Sequence, residues 1–161
     1  MRFHNHFQNA YVTHDLEKAI ELMEKRYGVQ GLVPVDLEID ISTPVGPNKL
    51  LMRLAYAWTG RTQVELIQPQ SGWIQHYVDS LPEDKTDYRP RFNHVAMRRD
   101  DLDAALAEID GLKLPIVMDG SVDGLRFIYV DAREELGHLL EYVWVVPEFW
   151  TFLGWPSEGC R

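Results

Sequence analysis

The chain has 161 residues, of which 45% are hydrophobic and 25% charged, a balance typical of one globular domain with a sizeable core. Its formal net charge of -9 disfavours nucleic acid as a partner, because an acidic protein repels phosphate backbones. The single cysteine, Cys160, excludes an intramolecular disulfide, and its place near the chain end predicts an unreactive residue of the tail. No apolar run approaches the ~18 residues that a membrane-spanning helix needs, and residues 1–6 lack the apolar centre of a signal peptide. We therefore expect a cytosolic protein.

The first half of the chain has the pattern of a strand, a helix and three further strands. The helix is capped by Thr13 or Asp15, carries an apolar stripe of period 3.6 and ends at Gly28 in a left-handed C-cap. The last two strands form a hairpin around Gly60, and residues 71–81 have the spacing of a short helix. Residues 43–48 are rich in turn formers. The predicted strands are 6–12, 32–41, 49–58 and 63–68.

The second half repeats this order after a polar linker at residues 82–91. A helix capped by Asp100 or Asp101 is predicted to end at Gly111, and residues 131–137 predict a loop before the last strand. The predicted strands are 92–97, 114–118, 125–130 and 138–146.

Particular residues recur at matching positions in the two halves. Gln8 precedes Asp15 by seven positions, and His94 precedes Asp101 by the same seven. Such an internal repeat predicts two copies of one supersecondary unit. We therefore predict an α+β fold of two tandem βαβββ modules that together form one structural domain. The units are a first module at 1–81, the linker, a second module at 92–146 and an aromatic tail at 147–161.

Each half ends in an apolar strand that contains one glutamate, Glu65 in the first and Glu141 in the second. An unpaired buried carboxylate is strongly unfavourable, so such a residue must be paired, neutral or bound to a metal. Two solvent-facing strand glutamates are the alternative, which the apolar flanks disfavour.

Four stretches of the chain resemble the vicinal-oxygen-chelate superfamily, over about residues 1–146: HFQNAYVTHDLEKAIELM, VELIQP, FNHVAMRRDDLDAALAEI and FIYVDAREELGHLLEYV. Within that group the chain is most similar to glyoxalase I and methylmalonyl-CoA epimerase. Extradiol dioxygenases and the fosfomycin- and bleomycin-resistance proteins belong to the same group. The resemblance implies an open U-shaped mixed β-barrel with flanking helices, a homodimer, and one divalent ion (Zn, Ni, Co, Mn or Fe) inside the U.

The resemblance also implies a site, residue by residue. The implied metal ligands are Gln8, Glu65, His94 and Glu141. Glu141 is cast as the catalytic base, and Glu65 as a ligand or partner acid. The implied activity is a metal-dependent isomerase, epimerase or lyase that transfers a proton on a small α-oxygenated carbonyl compound. His4 and His6 alternate with Gln8 on the predicted strand and are rival ligands; we favour Gln8 because it alone keeps the repeat spacing.

Two departures from glyoxalase I bear on the substrate. Val12 stands where that family has an arginine serving glutathione, and Pro69 where it has an asparagine, so glutathione is not expected as a cosubstrate. A metal-dependent dioxygenase is one alternative activity, which would need a second imidazole such as His6. A non-catalytic small-molecule binding protein of the resistance type is the other. The aromatic residues 147–155 are expected to pack on the body of the protein or on a second subunit.

Overall fold

The computed structural model describes residues 3–155, so Cys160 and the end of the predicted tail lie outside the described residues. The described residues form thirteen elements: the eight strands and three of the helices follow the predicted order, with βαβββ occurring twice, and two short helices are additional. The strands are β1 His6–Val12, β2 Val35–Thr43, β3 Gly46–Thr59, β4 Thr62–Gly72, β5 Arg91–Arg99, β6 Ile116–Val122, β7 Leu125–Asp131 and β8 Leu139–Val145. The helices are α1 Leu16–Tyr27, α2 Gln75–Val78, α3 Leu102–Leu112, α4 Arg133–Leu136 and α5 Pro147–Phe152.

The eight strands form one mixed barrel in the order β1-β4-β3-β2-β6-β7-β8-β5, which confirms the predicted fold class. The pairs β1–β4 and β5–β8 are parallel, and the other pairs are antiparallel. The mouth of the predicted U is closed by a short seam between β2 and β6, where Ile41 pairs with Gly120 and Ser42 with Asp119. The two modules therefore meet along β1–β5 and again at this seam.

The helix caps follow the local sequence signals closely. Asp15 accepts a backbone N–H of the first turn of α1, and Gly28 ends that helix at φ 72°. Asp101 caps α3 in the same way, as the repeat predicts. The prediction that Gly111 ends α3 is wrong: the helix runs to Leu112 and Lys113 takes the left-handed conformation.

Three other predicted boundaries differ from the structure. The turn at 43–48 is a tight hairpin, because β2 and β3 pair from Thr43 and Gly46 outward. The helix expected at 71–81 shrinks to the four residues of α2, because β4 continues to Gly72, whose φ is +83° and where a Cβ would lie 2.1 Å from a backbone oxygen of β3. The loop at 131–137 contains the single turn α4.

Alternation along the strands separates the buried side chains into an interior core and two outer layers. The outer layers lie beneath α1, against Ala55 and Leu66, and beneath α3, against Val95 and Tyr142. The inward side chains of the same strands are therefore free to build a site. Within residues 3–155 no helix is both long and apolar enough to cross a membrane.

Candidate functional site

The residues predicted as ligands occupy inward positions on four neighbouring strands, β4, β1, β5 and β8. An alanine follows two residues after Gln8 on β1 and two residues after His94 on β5. In each half this alanine pairs with the glutamate on the neighbouring parallel strand, β4 or β8. Each alanine also pairs across β1–β5 with the first-strand ligand of the other half. The pairs are Ala10 with Glu65 and His94, and Ala96 with Glu141 and Gln8. Because alanine has only a Cβ, the longer side chains on either side converge over it.

The imidazole of His94 lies close to two carboxylates inside the barrel. Its Nε2 is 3.3 Å from Oε2 of Glu141 and 3.7 Å from Oε2 of Glu65. The His94 side chain is fully buried, and those of Glu65 and Glu141 are 12% and 11% exposed. Burial, together with the charge of Glu141, raises the pKa of Glu65 well above its ordinary value. These two glutamates are therefore not the solvent-facing strand residues of the alternative interpretation.

Asn93 orients the imidazole ring of His94. Its Nδ2 donates to the backbone oxygen of His76 at 3.1 Å and to Oγ of Ser80 at 3.0 Å, so its Oδ1 faces Nδ1 of His94 at 2.9 Å. A ring nitrogen beside an amide oxygen donates, so Nδ1 carries a proton and Nε2 is the nitrogen that faces the glutamates. Histidines that ligate metals are commonly oriented by a partner of this kind.

The amide of Gln8 lines the same internal cavity as Glu65 and Glu141. Its Nε2 donates to Oε1 of Gln63 at 2.6 Å, which fixes the orientation of the amide. Its Oε1 is buried and has no hydrogen-bond partner among residues 3–155. An unsatisfied buried acceptor costs about 1–3 kcal/mol, so this oxygen is placed to interact with a ligand.

The two rival histidines lie outside the site, contrary to the expectation that they face the same way as Gln8. The pairing of β1 with β5 shifts register between His6 and Gln8, which breaks the alternation that the sequence suggests. His6 is exposed and its Nε2 contacts the backbone oxygen of Gln8 and Oδ1 of Asn9. His4 is exposed in the turn before β1.

Two tyrosines that the sequence patterns do not single out adjoin His94. The hydroxyl of Tyr129 on β7 lies 3.2 Å from Nε2 of His94, and the hydroxyl of Tyr77 on α2 donates to Tyr129 at 3.3 Å. Burial raises the pKa of both phenols, so both hydroxyls are protonated. Two features of the sequence could have pointed to these contacts. Tyr129 stands among the apolar residues of a buried strand, and the polar Asn93 directly precedes His94.

A cavity of about 220 Å³ extends from the carboxylates along the inside of the barrel. Four of its lining residues are polar: Gln8, Gln63, Glu65 and Glu141. The other twelve are Phe7, Leu37, Ile39, Leu54, Tyr56, Trp58, Val122, Leu125, Phe127, Val143, Trp150 and Leu153. Trp150 lies in α5, and Leu153 directly follows that helix. The described part of the tail therefore packs on the barrel, as predicted for the aromatic residues 147–155, and closes one side of the cavity.

The donors of this group suit a divalent cation in their chemistry. Among residues 3–155 no group of three or more His, Cys, Asp or Glu side chains is positioned to hold a metal ion. These residues do present an imidazole nitrogen, two carboxylate oxygens within 4 Å of it and an amide oxygen without a hydrogen-bond partner. Ligands bound about 2.1 Å from one ion lie about 3 Å apart, close to the His94–Glu141 separation. One nitrogen and three oxygen donors fit each of Zn, Ni, Co, Mn and Fe, without choosing among them.

Solved structures share this fold at low sequence identity. Methylmalonyl-CoA epimerase from Mycobacterium tuberculosis is 19% identical, with a TM-score of 0.53 over 91% of both chains. A Streptomyces coelicolor methylmalonyl-CoA epimerase variant in complex with 2-nitronate-propionyl-CoA is 15% identical, with a TM-score of 0.52 over 89% of this chain and 98% of that one. A hypothetical protein from Bacillus halodurans C-125 is 13% identical, with a TM-score of 0.56 over 88% and 94%. At such identities the likeness establishes the fold alone.

A comparison with curated protein sequences gives no match. The sequence profile of one family matches residues 7–129, a span that includes Gln8, Glu65 and His94 and ends before Glu141. That family is the one the sequence resembles, so the resemblance is confirmed. The chain belongs to the Glyoxalase/Bleomycin resistance protein/Dioxygenase superfamily.

Proposed function

We propose that this protein is a metal-dependent isomerase, epimerase or lyase of the glyoxalase type that transfers a proton on a small α-oxygenated carbonyl compound. The observation that carries the proposal is the buried group of lone pairs on Gln8, Glu65, His94 and Glu141, beside a cavity that no lysine or arginine lines. Buried carboxylates without a cation are strongly unfavourable, and a divalent ion among them would offset that cost. Membership of the superfamily supports this chemistry by analogy.

Each side chain of the group has a role in the proposed reaction. The four donors would hold the ion, and when bound it supplies Lewis-acid polarisation of the substrate carbonyl. Glu141 removes the α-proton of the substrate as general base, and Glu65 serves as a ligand or as the partner acid. Asn93 orients the ring of His94 so that Nε2 faces the carboxylates, and the apolar lining limits the access of water to them.

The test is deuterium exchange at the α-carbon of α-hydroxyketones in D₂O, followed by proton NMR, with the metal content measured on the same preparation. We expect about one divalent ion per chain and metal-dependent exchange. Glu141→Gln should slow exchange at least about 100-fold, the contribution of a general base, while the circular dichroism spectrum is unchanged. Glu134→Gln, at an exposed position in α4, is the matched control. Full exchange by the Glu141 variant would refute the role of that residue.

A binding protein without catalysis is the second candidate, supported by the apolar lining of the cavity. It would hold a ligand with no exchange at its α-carbon. Ring cleavage by a dioxygenase is less well supported, because the described donors include one imidazole and His6 lies outside the cavity. A homodimer and a cytosolic location stay predictions from the resemblance and the composition.

A further inference from the structure

Apart from two glutamines and two glutamates, the lining of the cavity is apolar and partly aromatic. Five of the twelve apolar lining residues carry rings: Phe7, Tyr56, Trp58, Phe127 and Trp150. They come from β1, β3, β7 and α5, so rings approach the cavity from several elements. Aromatic side chains favour edge-to-face and offset contacts with a further ring, so this surface suits a planar apolar group.

The volume of the cavity suits a ligand part of roughly one ring and its substituents. A dry cavity of about 150 Å³ is large enough to hold benzene. The cavity here is about 220 Å³, which leaves room for an α-oxygenated carbonyl group next to the carboxylates. A nucleotide-bearing thioester would leave most of its atoms outside such a volume.

The charges around the cavity oppose an anionic ligand. None of its sixteen lining residues is a lysine or arginine. Arg98 does not line the cavity: its guanidinium carbon lies 4.6 Å from the ring of the lining residue Trp150, and its Nε donates to Asp100 at 2.7 Å. A carboxylate or phosphate on the far side of the ligand would therefore meet apolar side chains and no counter-charge, which is unfavourable.

From this lining we infer that the substrate is an uncharged α-oxygenated carbonyl compound that carries one aromatic ring or an apolar group of the same size. The inference rests on the function proposed above and narrows it to a substrate class. The two oxygens of the ligand would face the carboxylate end, and its ring would lie against Trp58 and Trp150.

Three probes with the same hydroxyketone group test this inference. The first is 2-hydroxyacetophenone, which is uncharged and has a ring. The second is hydroxyacetone, which has no ring, and the third is 4-(hydroxyacetyl)benzoate, which has the ring and a carboxylate at its far end. Binding to the metal-loaded protein is measured by quenching of tryptophan fluorescence, and α-proton exchange by NMR. We expect the first probe to bind at least about 30-fold more tightly than the second, from apolar burial, and about 100-fold more tightly than the third.

A pair of variants at one lining position gives an independent check on charge. Leu125→Lys adds a cation to the cavity, and Leu125→Met is its uncharged control. The lysine variant should lower the preference for 2-hydroxyacetophenone over the benzoate probe at least tenfold, and the methionine variant should keep it. Thermal melts establish that both variants are folded, and the comparison of the three probes with the unaltered chain does not depend on them.

The outcomes separate this inference from the proposed reaction. Equal binding of the benzoate probe, or of hydroxyacetone, would overturn the substrate class even if exchange occurs. Selective binding of 2-hydroxyacetophenone without exchange of any probe would support the ligand class and overturn the proton-transfer reaction.

Discussion

Two alanines determine how closely the functional side chains approach one another. Ala10 and Ala96 are fully buried and stand between the donor-bearing positions on neighbouring strands. A larger side chain at either position would occupy the space into which Glu65 and His94 extend, because protein interiors contain few voids. The small size of these two alanines, which take no part in the reaction, is therefore as important for the site as the identity of the proposed ligands.

His76 is a second residue whose environment has a measurable consequence. Its ring lies 4.0 Å from that of Tyr77, and neither of its nitrogens has a hydrogen-bond partner among residues 3–155. Burial lowers the pKa of His76 to about 3, with further lowering by His94 and Arg133 and a small opposing effect of Asp79. The neutral imidazole is thus favoured in the folded protein.

We predict that His76 makes the folded protein sensitive to mild acid. Its stabilising contribution is complete above about pH 6.5, the pKa in an unfolded chain, and is lost as the pH falls toward 3, because the unfolded state then binds the proton. Between pH 7 and pH 5 the free energy of unfolding should fall by about 2 kcal/mol more in the unaltered protein than in His76→Phe. Urea denaturation at both pH values measures this difference.

The unaltered protein and His76→Phe must be compared because the raised pKa of Glu65 has the opposite effect on stability. The contribution of Glu65 to the free energy of unfolding is present at low pH and is lost as the pH rises. That effect is common to the unaltered protein and to His76→Phe and cancels in the difference. His4→Gln, at an exposed position, should keep the acid sensitivity. An identical pH dependence in His76→Phe would contradict the prediction.

At the scale of elements, the site depends on one segment that could not form by itself. The helix α5 has six residues, far fewer than an isolated helix needs in water. It is held by Trp58, whose Nε1 donates to the backbone oxygen of Leu153 at 2.9 Å, and by Arg98, which lies 4.6 Å from the ring of Trp150 and 4.5 Å from that of Trp155. The closed side of the cavity therefore depends on contacts with distant strands.

We predict that Arg98→Ala loosens α5 without unfolding the barrel. Two cation–π contacts of about 0.5–1 kcal/mol each would be lost, so amide hydrogen exchange in residues 149–153 should become about tenfold faster. Mass spectrometry of peptides from this segment and from β5 measures the effect. Arg61→Ala, at an exposed turn position, is the matched control. Unchanged exchange in 149–153 would show that other contacts hold the helix.

At the scale of the whole molecule, the two modules are joined through the candidate site as well as through the barrel. Gln8 and Glu65 come from the first half of the chain, and His94 and Glu141 from the second. β1 lies between β4 of its own half and β5 of the other, which places both halves around one point. An ion bound there would link segments that are far apart in sequence.

We predict that a divalent ion stabilises the whole fold. A ligand that binds only the folded protein raises the free energy of unfolding by about 2.7 kcal/mol at 100 times its dissociation constant. Thermal melts with and without Mn²⁺, Ni²⁺ or Zn²⁺ measure this, and the rise should be lost in Glu65→Gln and in His94→Asn. Each variant is measured with and without the ion, so any loss of stability that the substitution itself causes cancels in the difference. An equal rise in those variants and in Glu134→Gln would place the ion elsewhere.

Much of this protein follows from its sequence alone. Alternation and the 3.6-residue period predict each strand and the two long helices, because these patterns are local consequences of which face is buried. The seven-residue spacing from Gln8 to Asp15, repeated from His94 to Asp101, predicts that the halves are copies. Since copies carry equivalent positions, the repeat also predicts that Glu65 and Glu141 correspond to each other.

Only the tertiary structure decided the rest, because it depends on contacts between residues distant in the chain. The register shift in β1 turned His6 away from the site, and alternation gives no sign of it. The roles of Asn93 and Tyr129 come from hydrogen bonds to His94 across strands and helices. The cavity is lined from seven strands and the tail, so its volume, its aromatic wall and its lack of cations are properties of the barrel and not of any one segment.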